Sequence, residues 1–199
     1  MTRYSIMGAG SGADEGVFQP SNPNNFNIYV GITRNGATPL HEVAGSTGYE
    51  HEHMNSRGVK ARNITKQQYR EVLIKTLLPA GKSLFRRKVW ILQQDNDPTH
   101  RVAAEVIEEW NKEHREAAEL LEGWPACSPD LNIIENFWAY IEEKANSACC
   151  KSLSEYKDCI RTLISSRSPS MLAYLGRLFD SVPKRIAKVL EREGNRTSY

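Results

Sequence analysis

WILQQDNDPTH, residues 90–100, carries the reading of the whole chain. With Lys88 and Val89 ahead of it, KVWILQ reads as a short strand. Its near-continuous apolar character predicts burial on both faces, as in the middle of a sheet covered by helices. Asp97-Pro98 then opens a helix, with aspartate at the cap and proline at the first helical position. Val102 or Ala103, Val106, Ile107 and Trp110 form the apolar stripe of that helix. The two acids of the stretch therefore part. Asp97 has a sufficient structural task as a cap. Asp95 has none, and it stands at the carboxyl end of a strand, where open α/β sheets place their ligands.

Outward from this stretch the chain alternates. Upstream, NIYVGIT and TPLHEV are split by Arg34-Asn35-Gly36, which predicts a β-hairpin. A polar segment over residues 45–63 follows, and His51 and His53 within it read as loop residues rather than metal ligands. Thr65 with Gln68 forms a capping box for a helix striped by Tyr69, Val72, Leu73, Thr76 and Leu77, and Pro79 and Gly81 are expected to end it. Downstream, ELLEGWP reads as another short strand. SPDLNIIENFWAYIEEK begins a third helix, with Ile134, Phe137, Trp138 and Ile141 on one face. Glu135 lies at the edge of that stripe, beside Leu131 and Trp138, towards the sheet. Asn132 as N-cap with Glu135 at the third helical position is the competing structural explanation for that glutamate. Ser152 with Glu155 makes a second capping box. Ser168-Pro169 starts a last helix, which Pro183 is expected to break or kink.

The order of hairpin, helix, strand, helix, strand and helices predicts an α/β fold with a mixed sheet and a C-terminal helical extension. The short connections predict that the two single strands are parallel neighbours. Three regions follow: a flexible segment over 1–25, the α/β domain over 26–146, and a basic helical region over 147–199. The chain has 199 residues, 40% hydrophobic and 25% charged, a globular composition able to bury a core. No apolar run is long enough for a membrane span, and no signal peptide is expected. The four cysteines, Cys127, Cys149, Cys150 and Cys159, lack CxxC spacing and fit a reducing compartment. SIMGAGSGA has the spacing of a dinucleotide fingerprint, but Gly16, Pro20 and Pro23 interrupt the helix that must follow.

The net charge of +2 hides an uneven distribution. Residues 95–143 hold 13 acids against three bases, while residues 151–199 hold 10 bases against five acids. An acidic centre with basic flanks suits a carboxylate–metal site beside an anionic polymer, and equally a solvated acidic helix. Asp95 and Glu135 are the carboxylates such a site would use. Divalent cations held by a few carboxylates activate the attacking oxygen and stabilise the leaving one in phosphodiester cleavage. Mg²⁺ keeps several waters, so few protein ligands suffice.

QQDNDPTH followed by WPACSPDLNIIENFW resembles the catalytic domain of the mariner superfamily of DDE transposases. YVGITRNGATPLHEV and SVPKRIAKVLEREGNRTSY extend the similarity over residues 27–199. The resemblance implies an RNase H-like mixed sheet flanked by helices, and Mg²⁺ or Mn²⁺ as cofactor. It also implies DNA cleavage and strand transfer at transposon ends. Asp95 and Glu135 match the second and third metal-binding carboxylates, with Asn96, His100 and Asn136 in the neighbourhood. Lys184, Arg185 and Lys188 are candidate contacts to DNA phosphates. A nuclear location and a homodimer are compatible with that function. The chain reads as N-terminally truncated: the first carboxylate belongs on a central strand ahead of the hairpin, and that strand is expected to be missing or replaced. The only upstream acids are Asp14 and Glu15, in GADEGVF, which resembles the Asp-Glu-x-x-Phe wording of the family. No buried-strand run precedes Asp14, although RYSIM is a short substitute. Catalysis is therefore expected to be impaired, the alternative being a non-catalytic nucleic-acid-binding or interaction module.

Overall fold

The computed structural model describes residues 4–5, 27–43, 53–54, 60–61, 64–85, 88–125, 128–195 and 197. Asp14, Glu15 and His51 lie outside them. Strand β1 is Tyr4–Ser5, β2 Asn27–Tyr29, β3 Ile32–Thr33, β4 Gly36–Ala37, β5 His41–Val43, β6 His53–Met54 and β7 Lys60–Ala61. Helix α1, Lys66–Val72, passes through a π turn at Leu73–Leu77 into α2, Leu78–Phe85. Strand β8, Trp90–Leu92, is followed by a 3₁₀ turn at Pro98–Val102 and by α3, Ala103–His114. Strand β9 is Ala118–Leu120, and the helices α4 Ile133–Ser147, α5 Leu153–Ser165 and α6 Pro169–Glu191 complete the chain.

The hairpin forms around its predicted turn. Thr33 pairs with Gly36 across Arg34 and Asn35, and Gly36 adopts φ +142°, a conformation that glycine takes without strain. Farther out, β2 and β5 pair antiparallel, Ile28 opposite Glu42. On the other edge of β2, Tyr4 and Ser5 pair antiparallel with Ile28 and Asn27. Within RYSIM, Tyr4 and Ser5 are the described residues, and they form a two-residue strand beside the hairpin. β8 and β9 are parallel neighbours, as their short connection predicts, with Ile91 opposite Glu119. Among the described residues they form a two-stranded sheet apart from the three-stranded β1–β2–β5 sheet, not the one mixed sheet that the order of elements predicts.

Two apolar clusters explain the layering. Ile28 and Val30 point into one, built with Ile133, Ile134, Phe137, Trp138 and Ile141 of α4 and with the faces of α5 and α6. Tyr29 points into the other, with Val43, Tyr69, Val72, Leu73, Leu77, Trp90, Leu92 and the α3 stripe. Alternate residues of β2 therefore feed opposite cores, as a strand between two helical layers must. Helices α5 and α6 share their cluster with α4, so the 147–199 region is packed onto the α/β body.

Four local expectations change. Pro79 and Gly81 do not end the first helix, which runs on to Phe85. The π turn ahead of Pro79 widens the helix, and Leu78 N–H reaches back to Leu73 O there. Such a turn accommodates a ring that has no N–H to donate. Gly81 is instead a close contact, since a Cβ there would stand 2.3 Å from Cζ2 of Trp90. Pro183 does not end α6, a continuous helix of 23 residues, held by the burial of Met171, Leu175 and Leu178. β8 is buried on one face only: Trp90 and Leu92 are covered, while Ile91 is 58% exposed. Finally, the polar segment that holds His53 contributes the β6–β7 pair, His53 opposite Ala61. Among the described residues Cys149, Cys150 and Cys159 are free thiols, and no helix is long and apolar enough to cross a membrane.

Candidate active site

The strand β8 and the helix α4 open onto one cavity of about 290 Å³. Gln93, two residues before Asp95, lines it, and so do Ile133 and Ile134, which lead into Glu135. Ile32, Leu84, Phe85, Trp90 and Phe179 complete a largely apolar wall. Neither Asp95 nor Glu135 itself lines this cavity; it is bounded by their chain neighbours Gln93 and Ile134.

Asp95 is part-exposed and braced from within. Its Oδ1 lies 2.7 Å from Nδ1 of His100 and accepts the backbone N–H of Asp97 at 3.2 Å. The His100 contact is an ion pair by distance when the ring is protonated; the ring N–H does not align on the acceptor, so it is not a straight hydrogen bond. Oδ2 makes no hydrogen bond among the described residues. Burial pushes the Asp95 carboxyl pKa up, but His100 and the Asp97 N–H outweigh it, and the net position is below the ordinary aspartate value. Asp95 is therefore held as a carboxylate at neutral pH, with one oxygen anchored.

His100 is 1% exposed. Its ring lies against Tyr69, centroids 4.1 Å apart, and Nε2 has no partner among the described residues. Tyr69 Oη donates to Oε1 of Gln94 at 2.8 Å, and Nε2 of Gln94 donates to the His100 carbonyl at 2.9 Å. This buried relay from α1 fixes the loop between β8 and the 3₁₀ turn. Tyr69 and Gln94 were missed as site residues. Tyr69 reads in the sequence as one more member of an apolar stripe, and Gln94 as a neighbour of the acid.

Asp97 does what its pairing with Pro98 predicts: Oδ1 accepts the Thr99 N–H at 2.8 Å and caps the 3₁₀ turn. Asn96 donates through Nδ2 to the Trp124 carbonyl at 2.8 Å, tying the loop to the segment after β9. Glu135 sits in the first turn of α4, part-exposed. Asn132 is the N-cap residue, but its side chain makes no capping bond. Glu135 N–H bonds instead to the Asn132 carbonyl at 3.2 Å, so the Asn132 side-chain bond of a capping box is not made. Negative charge in a first helical turn is favoured by the macrodipole. Asn136 accepts the Tyr174 hydroxyl at its backbone carbonyl, 2.7 Å away.

Of the three C-terminal bases, Lys184 and Lys188 are exposed. Arg185 departs from the expected surface role. It is 3% exposed, and it donates through Nη1 to the Asp130 carbonyl at 2.6 Å and through Nε to Ser181 Oγ at 2.9 Å. A guanidinium spent on interior acceptors is not presented to a phosphate. Among the described residues no group of three or more His, Cys, Asp or Glu side chains is arranged to hold a metal ion. Asp95 and Glu135 are hard carboxylates of the kind that Mg²⁺ and Mn²⁺ take together with water, and Oδ2 of Asp95, unbonded among the described residues, fits that use.

Residues 43–157 match the family described as DDE superfamily endonuclease. The match takes in more than half of the chain, and the chain belongs to that family. In its relatives the likeness is more particular. It is 30% identical over 131 residues to the transposable element Tcb2 transposase of Caenorhabditis briggsae, covering 66% of this chain and 45% of that protein. It is 29% identical over 131 residues to the Tcb1 transposase of the same organism, with 66% and 45% coverage. It is 28% identical over 132 residues to the Tc1 transposase of Caenorhabditis elegans, again with 66% and 45% coverage. The chain spans under half the length of these curated relatives.

Proposed function

We propose that this chain is the catalytic domain of a mariner-superfamily transposase, whose chemistry is metal-dependent cleavage and strand transfer of DNA at transposon ends. The observation that carries the reading is Asp95, held as a carboxylate by His100 and the Asp97 N–H, in a chain whose residues 43–157 match the DDE superfamily endonuclease family. Asp95 and Glu135 would hold Mg²⁺ or Mn²⁺, which take hard carboxylate oxygens together with water. The bound cation supplies Lewis-acid activation of the attacking oxygen and neutralises charge on the leaving one. Asp95 is kept ionised by His100 and by the Asp97 N–H. The Tyr69–Gln94 relay holds His100 in place. Exposed Lys184 and Lys188 on α6 meet backbone phosphates without reading bases. Residues 26–146 form the endonuclease domain and 147–199 the helical region packed against it, in a protein that acts in the nucleus. Catalysis by this chain is limited by its first carboxylate, because the sequence before Asp14, GAGSGA, is not the apolar run of a buried strand.

Supercoiled plasmid incubated with the purified chain and Mn²⁺ tests the reading. Slow nicking is expected, lost on removal of the metal and reduced at least about a hundredfold in Asp95→Asn and Glu135→Gln, on the scale of losing a principal catalytic group. Nicking that persists unchanged in both variants overturns it. A second reading is a non-catalytic nucleic-acid-binding or interaction module, to which the exposed Lys184 and Lys188 would equally belong. DNA binding with no Mn²⁺ binding in calorimetry would decide for it.

A further inference from the structure

Helix α6 and the segment after it hold the chain on both sides of Glu135. Before the glutamate, Arg185 Nη1 donates to the Asp130 carbonyl at 2.6 Å. The Asp130 carboxylate accepts both the backbone N–H and the hydroxyl of Thr197, each at 2.8 Å through Oδ2. After it, the Tyr174 hydroxyl donates to the Asn136 carbonyl at 2.7 Å. The bridging loop is itself tightly wound, with Leu131 N–H on Ser128 O and Asn132 N–H on Pro129 O. Asp130 and Asn132 are 6% and 3% exposed. Burying a guanidinium and a carboxylate costs free energy unless each is fully hydrogen-bonded. Here the guanidinium and the Thr197 donors meet at Asp130, five residues ahead of Glu135.

We infer that Arg185, Thr197 and Tyr174 are positioning residues: the C-terminal helix and tail clamp Asp130 and Asn136 and thereby set where the Glu135 carboxylate stands. The inference rests on the reading of Glu135 as a metal ligand and goes beyond it by making the C-terminal region part of the metal site. A ligand held by a supporting shell loses metal affinity when that shell is cut, by about 10- to 100-fold. Tyr174→Phe removes one hydroxyl and keeps the ring stacked on Tyr140, whose centroid is 4.2 Å away. Thr197→Val removes the other hydroxyl and keeps the backbone N–H bond.

The test is Mn²⁺ calorimetry beside thermal denaturation for the intact chain, Glu135→Gln, Thr197→Val, Thr197→Ser and the Tyr174→Phe/Thr197→Val double variant. We expect Glu135→Gln to lose Mn²⁺ binding, the double variant to weaken it about tenfold or more, and Thr197→Ser to match the parent. A double variant that melts with the parent and binds Mn²⁺ within about twofold of it overturns the inference, while the metal reading stands on Glu135→Gln. Unchanged binding in Glu135→Gln overturns the metal reading and the inference together. Should the double variant fail to fold, Thr197→Val decides by the same comparison, and affinity equal to the parent overturns the inference.

Discussion

Asp95 and Asp97 stand two positions apart and do different work, and the difference is local hydrogen bonding. Asp97 spends Oδ1 on the Thr99 N–H. Asp95 spends Oδ1 on His100 and the Asp97 N–H and keeps Oδ2 unbonded among the described residues. The brace behind it depends on one phenol. Tyr69→Phe leaves Gln94 Oε1 buried without its donor, which is expected to lower stability by about 1–3 kcal/mol. The urea midpoint should fall at unchanged slope. The same variant should weaken Mn²⁺ binding if the relay orients Asp95 through His100. His100 was named from the sequence as a neighbour of the site; its burial against Tyr69 was not legible, because ring contact across 31 positions leaves no local pattern.

Among the elements, those whose ends are marked by short-range chemistry match their expectation. Thr65 and Gln68 form the predicted capping box, the Gln68 N–H reaching Thr65 Oγ1 at 3.2 Å and the Thr65 N–H reaching Gln68 Oε1 at 2.9 Å. Ser152 caps α5 through the Glu155 N–H at 3.2 Å, although Glu155 reaches back to the Lys151 N–H rather than to that of Ser152. Helix stops were read less well. Pro79 and Pro183 are penalties of about 3 kcal/mol in a helix interior, and both are outweighed by packing that is remote in sequence. Gly81 is the clearest case. Its hydrogen leaves room for the Trp90 ring, and Trp90 also stacks on Phe85 with centroids 5.6 Å apart. Gly81→Ala, favourable by helix propensity alone, is expected to destabilise by about 1–3 kcal/mol through overpacking. Differential scanning calorimetry of the variant should show a lower Tm, and a rise would refute the close-contact account.

At the scale of the molecule, β2 joins two cores and the C-terminal helices join the site. Exposed pairs such as Arg34–Asp180 at 2.6 Å and Arg161–Glu42 at 2.6 Å also link α6 and α5 to the hairpin, with little expected from each in water. The buried Asp130 anchor has a pH signature. Backbone and side-chain hydrogen bonds from Thr197 hold its carboxyl below the ordinary value of 3.8. A depressed acid contributes stability above its unfolded pKa and loses it as pH falls through the folded one. The stability gap between the parent and Asp130→Asn should therefore be fully present at about pH 5 and close progressively below about pH 4. Chemical denaturation at several pH values measures it, and a gap that stays constant into that range contradicts the anchor.

The sequence by itself determined what interactions within about one helical turn or one hairpin decide. These are the Arg34-Asn35 turn, the Thr65 and Asp97 caps, and the faces of α3 and α4; the parallel pairing of β8 with β9 followed from the order of elements instead. The QQDNDPTH and WPACSPDLNIIENFW blocks also carried the family, which residues 43–157 then matched. Only the tertiary structure decided what depends on partners far along the chain. Tyr69 reaches Gln94 across 25 positions, Arg185 reaches Asp130 across 55, and Thr197 reaches Asp130 across 67. Arg185 reads as one more base on an amphipathic helix until Asp130 is seen beside it. Burial and pairing of that kind are properties of the packed core, set by which surfaces meet, and no periodicity in the chain encodes them.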